Sequence, residues 1–142
     1  QKKILKKIIY KNKKIKLINN PNFKTGIASS IKLGLKKLSK KNNGFFISLG
    51  DMPFVSKSIY NKLIMAKKNH PKKNIFIPCY KKKQGNPILF SKKMISEIKK
   101  IKGDKGAKKI LFKNKNQIFK VNFKSRSIIL DFDTRDSFDR LY

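Results

Sequence analysis

The chain has 142 residues, of which 39% are hydrophobic, and its formal net charge is +31. This length and hydrophobic content fit one folded domain better than a disordered chain. No apolar run reaches the roughly 18 residues of a membrane helix, and the basic N-terminus lacks the continuous apolar core of a secretory signal, so we expect no membrane partner. The single Cys79 cannot pair within the chain, which is typical of a reducing compartment and predicts a cytoplasmic protein.

The positive charge is a weak indication of nucleic-acid binding. Only three of the 38 basic residues are arginine, the residue best suited to bidentate contacts with phosphate and guanine. The lysines are spread along the whole chain, and Ile, Asn and Phe are also frequent, a set of residues that AT-rich coding sequences favour. We therefore expect no specific nucleic-acid partner. A non-catalytic, basic nucleic-acid-binding domain is the alternative from another functional class.

The N-terminal half alternates between strand and helix patterns. Residues 14–19 (KIKLIN) have the composition of a strand, and the Asn-Pro and Gly residues of NPNFKTG end it. A helix is predicted next, because apolar residues recur at helical spacing at Ile27, Ile31, Leu35 and Leu38. The segment GFFISLG is a short apolar run between glycines, which is typical of a buried central strand. Ser56 or Ser58 is the predicted N-cap of a further helix that carries Ile59, Leu63 and Ala66.

The C-terminal half continues the alternation. We predict strands in NIFIPCY, PILF, QIFKVNF and SIILDFD, with KKKQGN as a loop before PILF. PILF leads into a predicted helix with Met94, Ile95, Ile98 and Ile101, and the turn GDKG precedes a short helix, AKKILFKN. The last residues, TRDSFDRLY, are predicted as a helix capped by Thr134. No repeat or linker divides the chain, so we predict one α/β domain over residues 1–142. Its sheet is mostly parallel, of the Rossmann-like type, with helices on both faces.

The acidic residues are informative because they are so few: Asp51, Glu97, Asp104, Asp131, Asp133, Asp136 and Asp139. Asp51 follows the carboxyl end of the predicted strand 45–49, where ligands bind in open α/β sheets. The alternative is a turn residue, since Gly-Asp is common in turns. His70, in a polar loop, and Cys79, in a strand, are interpreted as incidental. Two such side chains are too few for a structural zinc site.

Five segments, taken in order, resemble motifs of the MobA-like NTP transferase family, most closely its molybdenum cofactor cytidylyltransferase branch. NPNFKTGIASSIKLGL (20–35) resembles the family's Asn-Pro, Gly, paired-serine and Gly-Leu segment, and LGDMPFVS (49–56) its Leu-Gly-Asp-x-Pro-x-Val motif. GNPILF (85–90) is similar to Gly-His-Pro-Val-Leu-Phe. GDKGAKKIL (103–111) resembles Gly-Asp-x-Gly-Ala-Arg, and LDFDTRDSF (130–138) resembles Asp-x-Asp-Thr-Pro-Glu-Asp. Together these motifs span residues 20 to 138.

The resemblance implies a Mg²⁺-dependent nucleotidyltransferase (with Mn²⁺ as the alternative metal) that transfers CMP from CTP to phosphorylated molybdopterin and releases pyrophosphate. Such a reaction needs positioning and charge neutralisation more than a covalent nucleophile. By resemblance, Asp51 is the catalytic metal ligand and Asp133 the second ligand. Asp131 is nearby, and alternation along a strand sends it to the same face as Asp133. The sequence therefore does not decide which of the two is the metal ligand.

The resemblance also implies the substrate contacts. Gly26, Ser29, Ser30 and Gly50 are the expected nucleotide-binding residues, although small residues at a helix start also serve packing. The expected residues of the substrate side are Gly85, Asn86, Pro87, Asp104, Gly106 and Lys108. Asn86 replaces the family's usual His, and Lys108 replaces an Arg, which removes bidentate phosphate geometry. In the last motif, Arg135 replaces a Pro and Ser137 an Asp.

One family feature has no counterpart in this sequence. Family members open with a strand, a Gly- and Arg-containing loop and a lysine that hold the triphosphate. The first residue here is Gln1, and the resemblance begins partway into the fold, so we expect an N-terminally truncated chain without that strand and loop, and of marginal stability. The alternatives within the family are a GTP-using enzyme, one with another phosphorylated acceptor, and a pseudoenzyme. A further expected partner is a molybdoenzyme or its chaperone, which would receive the product.

Overall fold

The computed structural model describes residues 14–39, 41–104 and 106–132, and of residues 106–108 it describes the backbone alone. The helices are α1 (Ile27–Leu35), α2 (Lys57–Asn69), α3 (Ile95–Lys99) and α4 (Gly106–Lys113). The strands are β1 (Gly44–Ile47), β2 (Ile75–Tyr80), β3 (Lys83–Gln84), β4 (Ile88–Ser91) and β5 (Ile118–Asn122). Short 3₁₀ helices cover Phe23–Thr25, Lys92–Met94, Lys115–Gln117 and Arg126–Ile129.

The strands form one mixed sheet. β4 lies between β1 and β2 and is antiparallel to both, while β5 pairs with the other side of β2 in parallel. β1, β2 and β5 therefore run in the same direction, and their carboxyl ends meet at one edge of the sheet. The predicted α/β class is confirmed. The predicted mostly parallel sheet is not what the described strands form. Three of their four pairings are antiparallel, and only β2 and β5 pair in parallel, because a hairpin turn after β2 returns the chain as β3 and β4. The predicted buried central position of GFFISLG is also wrong among the described strands, since β1 lies at one end of the sheet and only its Phe45 is buried.

Helices cover both faces of the sheet, as predicted, because the buried strands carry apolar side chains on both sides. On one face, Ile75, Ile77 and Phe90 pack with residues of α1, α3 and α4. On the other face, Phe76 and Leu89 pack with Leu63 of α2 and with Ile128. The central strand β2 is buried along nearly its whole length, which matches its continuous apolar sequence.

The predicted strand over residues 14–19 is wrong. Residues 15–20 form no helix or strand in the structure, and Ile15, Leu17 and Ile18 are between 39% and 47% exposed. A strand is defined by backbone hydrogen bonds to a neighbouring strand. Within the described residues, β1 pairs only with β4, so residues 15–20 do not pair with it. The alternating composition of this segment was therefore not sufficient to make it a strand.

The predicted strand in SIILDFD is also wrong. Arg126–Ile129 forms a 3₁₀ helix whose first turn is capped by Ser125, since the Ser125 side chain accepts a hydrogen bond from the Ser127 N–H group. The apolar residues of this segment are explained by burial without a strand, because Ile128 is fully buried in the core against α2. The predicted C-terminal helix with its Thr134 cap lies outside the described residues.

Several local predictions are refined. Ser56 occupies the N-cap position of α2, but its hydroxyl group pairs with that of Ser58 at 2.8 Å and does not cap the helix. The predicted loop KKKQGN contains β3, and Lys81 and Lys82 both have positive φ in the turn before it. His70 ends α2, where its ring stacks on Phe119. Within the described ranges, no helix is long and apolar enough to cross a membrane.

Candidate active site

Asp51 lies at the edge of the sheet where the carboxyl ends of β1, β2 and β5 meet. It follows β1 by four residues, as predicted, and its backbone carbonyl accepts a hydrogen bond of 2.9 Å from the Phe132 N–H group. The Phe132 ring also packs edge-on against Phe54, with 5.6 Å between ring centroids. The motif around Asp51 and the motif beginning at Leu130 are therefore in direct contact, although about 80 residues of chain separate them.

The Asp51 carboxyl group has an unusual environment. Its Oδ1 atom is buried, and it has no hydrogen-bond partner among the residues that the structure describes. A buried carboxylate oxygen without a donor is costly, because it has lost water and gained nothing in exchange. The simplest way to satisfy such an atom is a ligand that brings positive charge or a donor into the site.

The residues Gly85, Asn86 and Pro87 hold the segment that reaches Asp51. The Asn86 N–H group donates to the Ile128 carbonyl oxygen at 2.8 Å, and the Gly85 N–H group donates to Pro78 at 2.8 Å. A side chain at Gly85 would collide with the backbone of Ile128, so only glycine fits there. The motif predicted to border the substrate thus anchors the 3₁₀ helix that precedes Phe132, and two of its three residues, Gly85 and Pro87, are buried.

Gly26 and Asp104 meet at the start of α1. Gly26 has φ of 101°, a conformation that favours glycine, and a Cβ atom there would lie 2.7 Å from the Asp104 Oδ1 atom. That same oxygen accepts a hydrogen bond of 2.9 Å from the Ile27 N–H group, and the Gly103 carbonyl accepts one from Ala28 at 3.2 Å. Asp104 therefore supplies an acceptor and a negative charge at the N-terminus of α1. Its predicted role in binding substrate remains a prediction.

Ser29 and Ser30 are linked through Asn20. The Asn20 side-chain amide donates to the Ser29 hydroxyl oxygen at 2.8 Å and to that of Ser30 at 2.9 Å. Ser29 in turn donates to the Gly26 and Asn22 carbonyl oxygens at 2.8 and 3.0 Å. The sequence interpretation placed Asn20 at the end of a strand and in the 20–35 motif, but gave its side chain no role. Its position beside Pro21, in the same motif as the serines, was the available signal.

A groove joins the start of α1 to the Asp51 turn. It has a volume of about 370 Å³ and is lined by one face of α1, including Ser30, and by β1 and its extension through Ser48 and Leu49. Leu49 directly precedes Gly50 and Asp51. At Gly50 an added Cβ atom would meet nothing within 4 Å, so the backbone of the turn is open on that side. We call this space the α1 groove.

Among the described residues, the Asp51 carboxylate is the group that fits a divalent cation. Among them, no three His, Cys, Asp or Glu side chains gather as a metal-binding group. Mg²⁺, however, is commonly bound through one or two carboxylates together with substrate phosphates, so a single buried carboxylate with an unsatisfied oxygen fits that requirement. Asp131 is exposed beside Phe132, whereas Asp133, the predicted second ligand, lies outside the described residues.

Two further predicted residues belong to α4. Gly106 is the first residue of this helix and Lys108 lies in its first turn, which follows the Asp104 turn in the chain. The predicted helix is confirmed, and its position places the motif GDKGAKKIL against the start of α1. The substrate contacts expected of Gly106 and Lys108 remain predictions.

Comparison with known proteins identifies the family. The MobA-like NTP transferase domain matches residues 5–118, which is more than half of the chain. The chain belongs to the MobA-like NTP transferase family. No curated protein matches it.

Solved structures agree with this assignment. Rv0371c from Mycobacterium tuberculosis H37Rv is similar with a TM-score of 0.69 and 26% identity, and the match covers 80% of this chain and 58% of that one. A manganese complex of Rv0371c is similar at a TM-score of 0.67 and 26% identity, covering 79% of this chain and 58% of that one. This NTP transferase chain therefore spans less than two thirds of the length of these relatives.

A further structure supports the fold alone. The 4-diphosphocytidyl-2C-methyl-D-erythritol synthase from Anaerococcus prevotii DSM 20548 is similar with a TM-score of 0.76 and 18% identity, over 98% of this chain and 71% of that one. At this identity the likeness shows the nucleotidyltransferase type of fold. The predicted α/β fold class and the MobA-like NTP transferase family are thus confirmed, and the molybdenum cofactor cytidylyltransferase branch stays a prediction.

Proposed function

We propose that this protein is a nucleotidyltransferase that transfers CMP from CTP to phosphorylated molybdopterin and releases pyrophosphate. The observation that carries the proposal is the buried Oδ1 atom of Asp51, which has no hydrogen-bond partner among the described residues and lies on a turn that contacts Phe132, the residue after Asp131. Membership of the MobA-like NTP transferase family supports nucleotidyl transfer. The choice of CTP and of molybdopterin rests on the motif resemblance.

The reaction forms a bond between an oxygen of the acceptor phosphate and the α-phosphorus of CTP. The bond from that phosphorus to the oxygen bridging to the β-phosphate breaks, and pyrophosphate leaves with the electron pair. Asp51 and Asp133 would hold Mg²⁺ or Mn²⁺, which supplies neutralisation of the triphosphate charge when bound. The manganese complex of Rv0371c supports a divalent metal in this role.

In the proposal, the described residues contribute to the reaction by positioning the nucleotide. The base or ribose of CTP lies against the hydroxyl groups of Ser29 and Ser30 and the backbone of Gly26 and Gly50. Of these residues, Ser30 lines the α1 groove and Ser29 lines a separate cavity beside α1. Positioning of this kind supplies a large part of the rate enhancement in phosphoryl-type transfers, because the reacting groups are held in line. Gly85, Asn86 and Pro87 act by fixing Ile128 and hence the segment that reaches Asp51.

The first experiment compares Asp51→Asn with the unchanged protein, using the complete native chain. Pyrophosphate release is measured with molybdopterin and each of CTP, GTP, ATP and UTP. We expect CTP to give the highest rate and Asp51→Asn to lower kcat at least about 10²-fold, because a neutral amide is a poorer metal ligand. Glu97→Gln is the matched control, since the Glu97 carboxylate on α3 pairs with Lys100 at 3.3 Å and has no predicted role in the site, and it should keep most of the activity.

Metal binding separates the proposed role of Asp51 from other causes of inactivity. Titration with Mn²⁺, followed by electron paramagnetic resonance in the presence of CTP, should show a tight site that Asp51→Asn weakens and Glu97→Gln retains. Full activity or unchanged Mn²⁺ affinity in Asp51→Asn would contradict the assignment. A preference for GTP, or activity only with another acceptor, would favour the alternatives within the family.

Two outcomes would replace the enzyme interpretation. Binding of CTP and Mn²⁺ with no turnover for any NTP would identify a pseudoenzyme. Tight binding of DNA or RNA that persists near physiological salt, without a response to CTP, would identify a nucleic-acid-binding domain, since contacts driven by lysine charge alone weaken steeply with salt. Product handover to a molybdoenzyme or its chaperone is a further proposal, and pull-down with product-loaded protein tests it.

A further inference from the structure

One edge of β5 is open among the residues that the structure describes. β5 pairs in parallel with β2, and no other described strand pairs with it. Along a strand, successive residues present their backbone groups to opposite edges. The Phe123 N–H group donates to the Cys79 carbonyl oxygen of β2 at 2.8 Å, so the odd-numbered residues of β5 face β2 and the even-numbered residues face outward. An open edge of this kind can accept a further strand.

Four backbone groups of this edge have no hydrogen-bond partner in the described part of the chain. They are the Ile118 C=O group, the N–H and C=O groups of Lys120, and the Asn122 N–H group. The other two outward groups are bonded, since the Ile118 N–H group donates to Lys115 and the Asn122 carbonyl accepts a hydrogen bond of 2.8 Å from the Lys62 ammonium group. Donors and acceptors spaced in this way match the backbone of an extended peptide.

A cavity of about 780 Å³ lies beside this edge, between β5 and α4. We call it the β5 cavity. Its lining combines apolar side chains with cationic ones, and it includes Leu111, Phe112, Ile118, Lys73, Lys115 and Lys120. The cavity therefore offers side-chain contacts next to the free backbone groups of the edge.

Phe112 is the main apolar group of the β5 cavity. Its side chain is 71% exposed, more than any other large hydrophobic side chain that the structure describes. The Lys115 ammonium group lies 4.3 Å from the centroid of its ring, a cation–π contact that favours this position of the ring. An exposed aromatic ring beside an open strand edge provides a contact for an apolar side chain of a partner.

The charge of the β5 cavity is entirely positive within the described residues. Lys73, Lys115 and Lys120 line it, and no described Asp or Glu does. The Lys73 ammonium group donates to the Asn116 carbonyl oxygen at 2.7 Å, so this cation is held in place at the cavity. Unneutralised cations around an apolar contact repel a basic partner and favour an acidic one.

The edge and the charge together select the class of partner. A second copy of this chain is disfavoured, because antiparallel pairing of two β5 edges about a two-fold axis would place Lys120 of one copy opposite Lys120 of the other. Each copy also carries a formal net charge of +31. A nucleic acid would offer phosphates to the lysines, but it has no peptide groups to pair with the strand edge. An acidic peptide satisfies both.

We propose that the β5 edge and the β5 cavity bind an extended acidic segment of a partner protein. The segment adds to β5 as a further strand, with carboxylates near Lys73, Lys115 and Lys120 and an apolar side chain against Phe112. This interaction goes beyond the proposed function and does not depend on it, since Asp51 is not among the residues that line the β5 cavity.

The test uses the complete native chain and the fluorescein-labelled peptide EVEFEVE, in which acidic and apolar residues alternate. Fluorescence anisotropy measures its affinity at about 0.15 M ionic strength, where charges are screened beyond roughly 8 Å. Two control peptides separate the causes of binding. EPEFEPE keeps the charge and the phenylalanine but loses two backbone donors, and KVKFKVK reverses the charge. Each control should bind at least about tenfold more weakly than EVEFEVE.

Variants of the protein locate the binding surface. Phe112→Ala and Lys120→Ala should each weaken EVEFEVE binding about tenfold, and both residues are exposed, so their replacement should leave the fold intact. Phe23→Ala is the matched control for Phe112→Ala, since Phe23 is 63% exposed and lies outside the β5 cavity. Lys99→Ala, on α3, is the control for Lys120→Ala. Both controls should leave binding unchanged, and circular dichroism verifies that each variant is folded.

Hydrogen exchange, followed by NMR, tests strand addition directly. Saturating EVEFEVE should slow exchange of the Lys120 and Asn122 N–H groups at least about tenfold, because both N–H groups lie on the edge that the added strand covers. The Asn86 N–H group, which already donates to Ile128 at 2.8 Å, is the internal control and should not change.

Four results would overturn the proposal. The first is equal binding of EPEFEPE or KVKFKVK, and the second is equal weakening by Phe23→Ala or unchanged exchange at Lys120. The third is a dimer, detected by analytical ultracentrifugation, that EVEFEVE dissociates and Phe112→Ala abolishes, which would assign the surface to a second copy. The fourth is a single-stranded RNA that displaces EVEFEVE and binds more tightly at the same salt concentration, which would assign the surface to nucleic acid.

Discussion

The contact between Gly85 and Ile128 gives the most direct test of how the site is held. In Gly85→Ala, the added methyl group would meet the carbonyl oxygen of Ile128, and Ile128 is fully buried and unable to retreat without moving the core. Ile128 also accepts the 2.8 Å hydrogen bond from the Asn86 N–H group. The substitution therefore has two effects: it crowds the backbone of Ile128, and it strains the buried hydrogen bond from Asn86 to the same carbonyl oxygen.

The expected loss of stability follows from these two effects. Overpacking a tight core position costs about 1–3 kcal/mol, and loss of one hydrogen bond costs about 1 kcal/mol, so the free energy of unfolding should fall by about 2–4 kcal/mol. With a urea dependence of about 2 kcal/mol per molar, the unfolding midpoint should fall by about 1–2 M. A domain whose total stability is in the usual range of about 5–15 kcal/mol would be strongly affected.

Urea denaturation, followed by circular dichroism, measures the change. Gly50→Ala is the matched control, because an added Cβ atom there would meet nothing within 4 Å, and its effect should stay below about 1 kcal/mol. Gly85→Ala should also lower pyrophosphate release under conditions where the protein is folded, since the segment that reaches Asp51 is displaced. A Gly85→Ala protein as stable as Gly50→Ala would refute the reasoning.

Two other predictions test α1 and the core. Gly26→Ala should destabilise the protein by about 1–3 kcal/mol, because its positive φ strains an alanine, whereas Gly34→Ala, in open space within α1, should stabilise it by about 0.5–1 kcal/mol; thermal melts distinguish the two. Burial raises the pKa of the Cys79 thiol, and the nearby Lys120 charge only partly opposes this, so the native thiol should react slowly with iodoacetamide. Because the raised folded-state pKa favours the neutral thiol, stability should fall as the pH rises above the ordinary pKa of a thiol, and Cys79→Ala should lack that part of the pH dependence.

The site itself was only partly predictable. The sequence located Asp51 shortly after a strand, and the structure agrees, because a glycine-bounded apolar run encodes the extent of the strand. The predicted burial of that strand is wrong, since only Phe45 of β1 is buried. The sequence did not reveal that Asp104 caps α1, since a hydrogen bond between residues 77 positions apart leaves no periodic signal. The role of Asn20 in holding Ser29 and Ser30 was missed for a similar reason.

The two wrong strand predictions have one physical cause. Residues 14–19 and the apolar run near Ile128 both carry strand-forming residues, but a strand also needs a neighbour with free backbone groups. Ile128 instead satisfies its carbonyl group through Asn86 and buries its side chain against α2, which a 3₁₀ helix permits equally well.

By itself, the sequence determined the alternation of helices and strands, the buried character of β2 and the order of the motifs, because periodicity and glycine positions are local properties of the chain. Tertiary structure alone decided that β4 lies antiparallel between β1 and β2 and that the Asp51 turn meets Phe132. These features depend on which distant surfaces pack together, and packing is a property of the whole fold rather than of any segment.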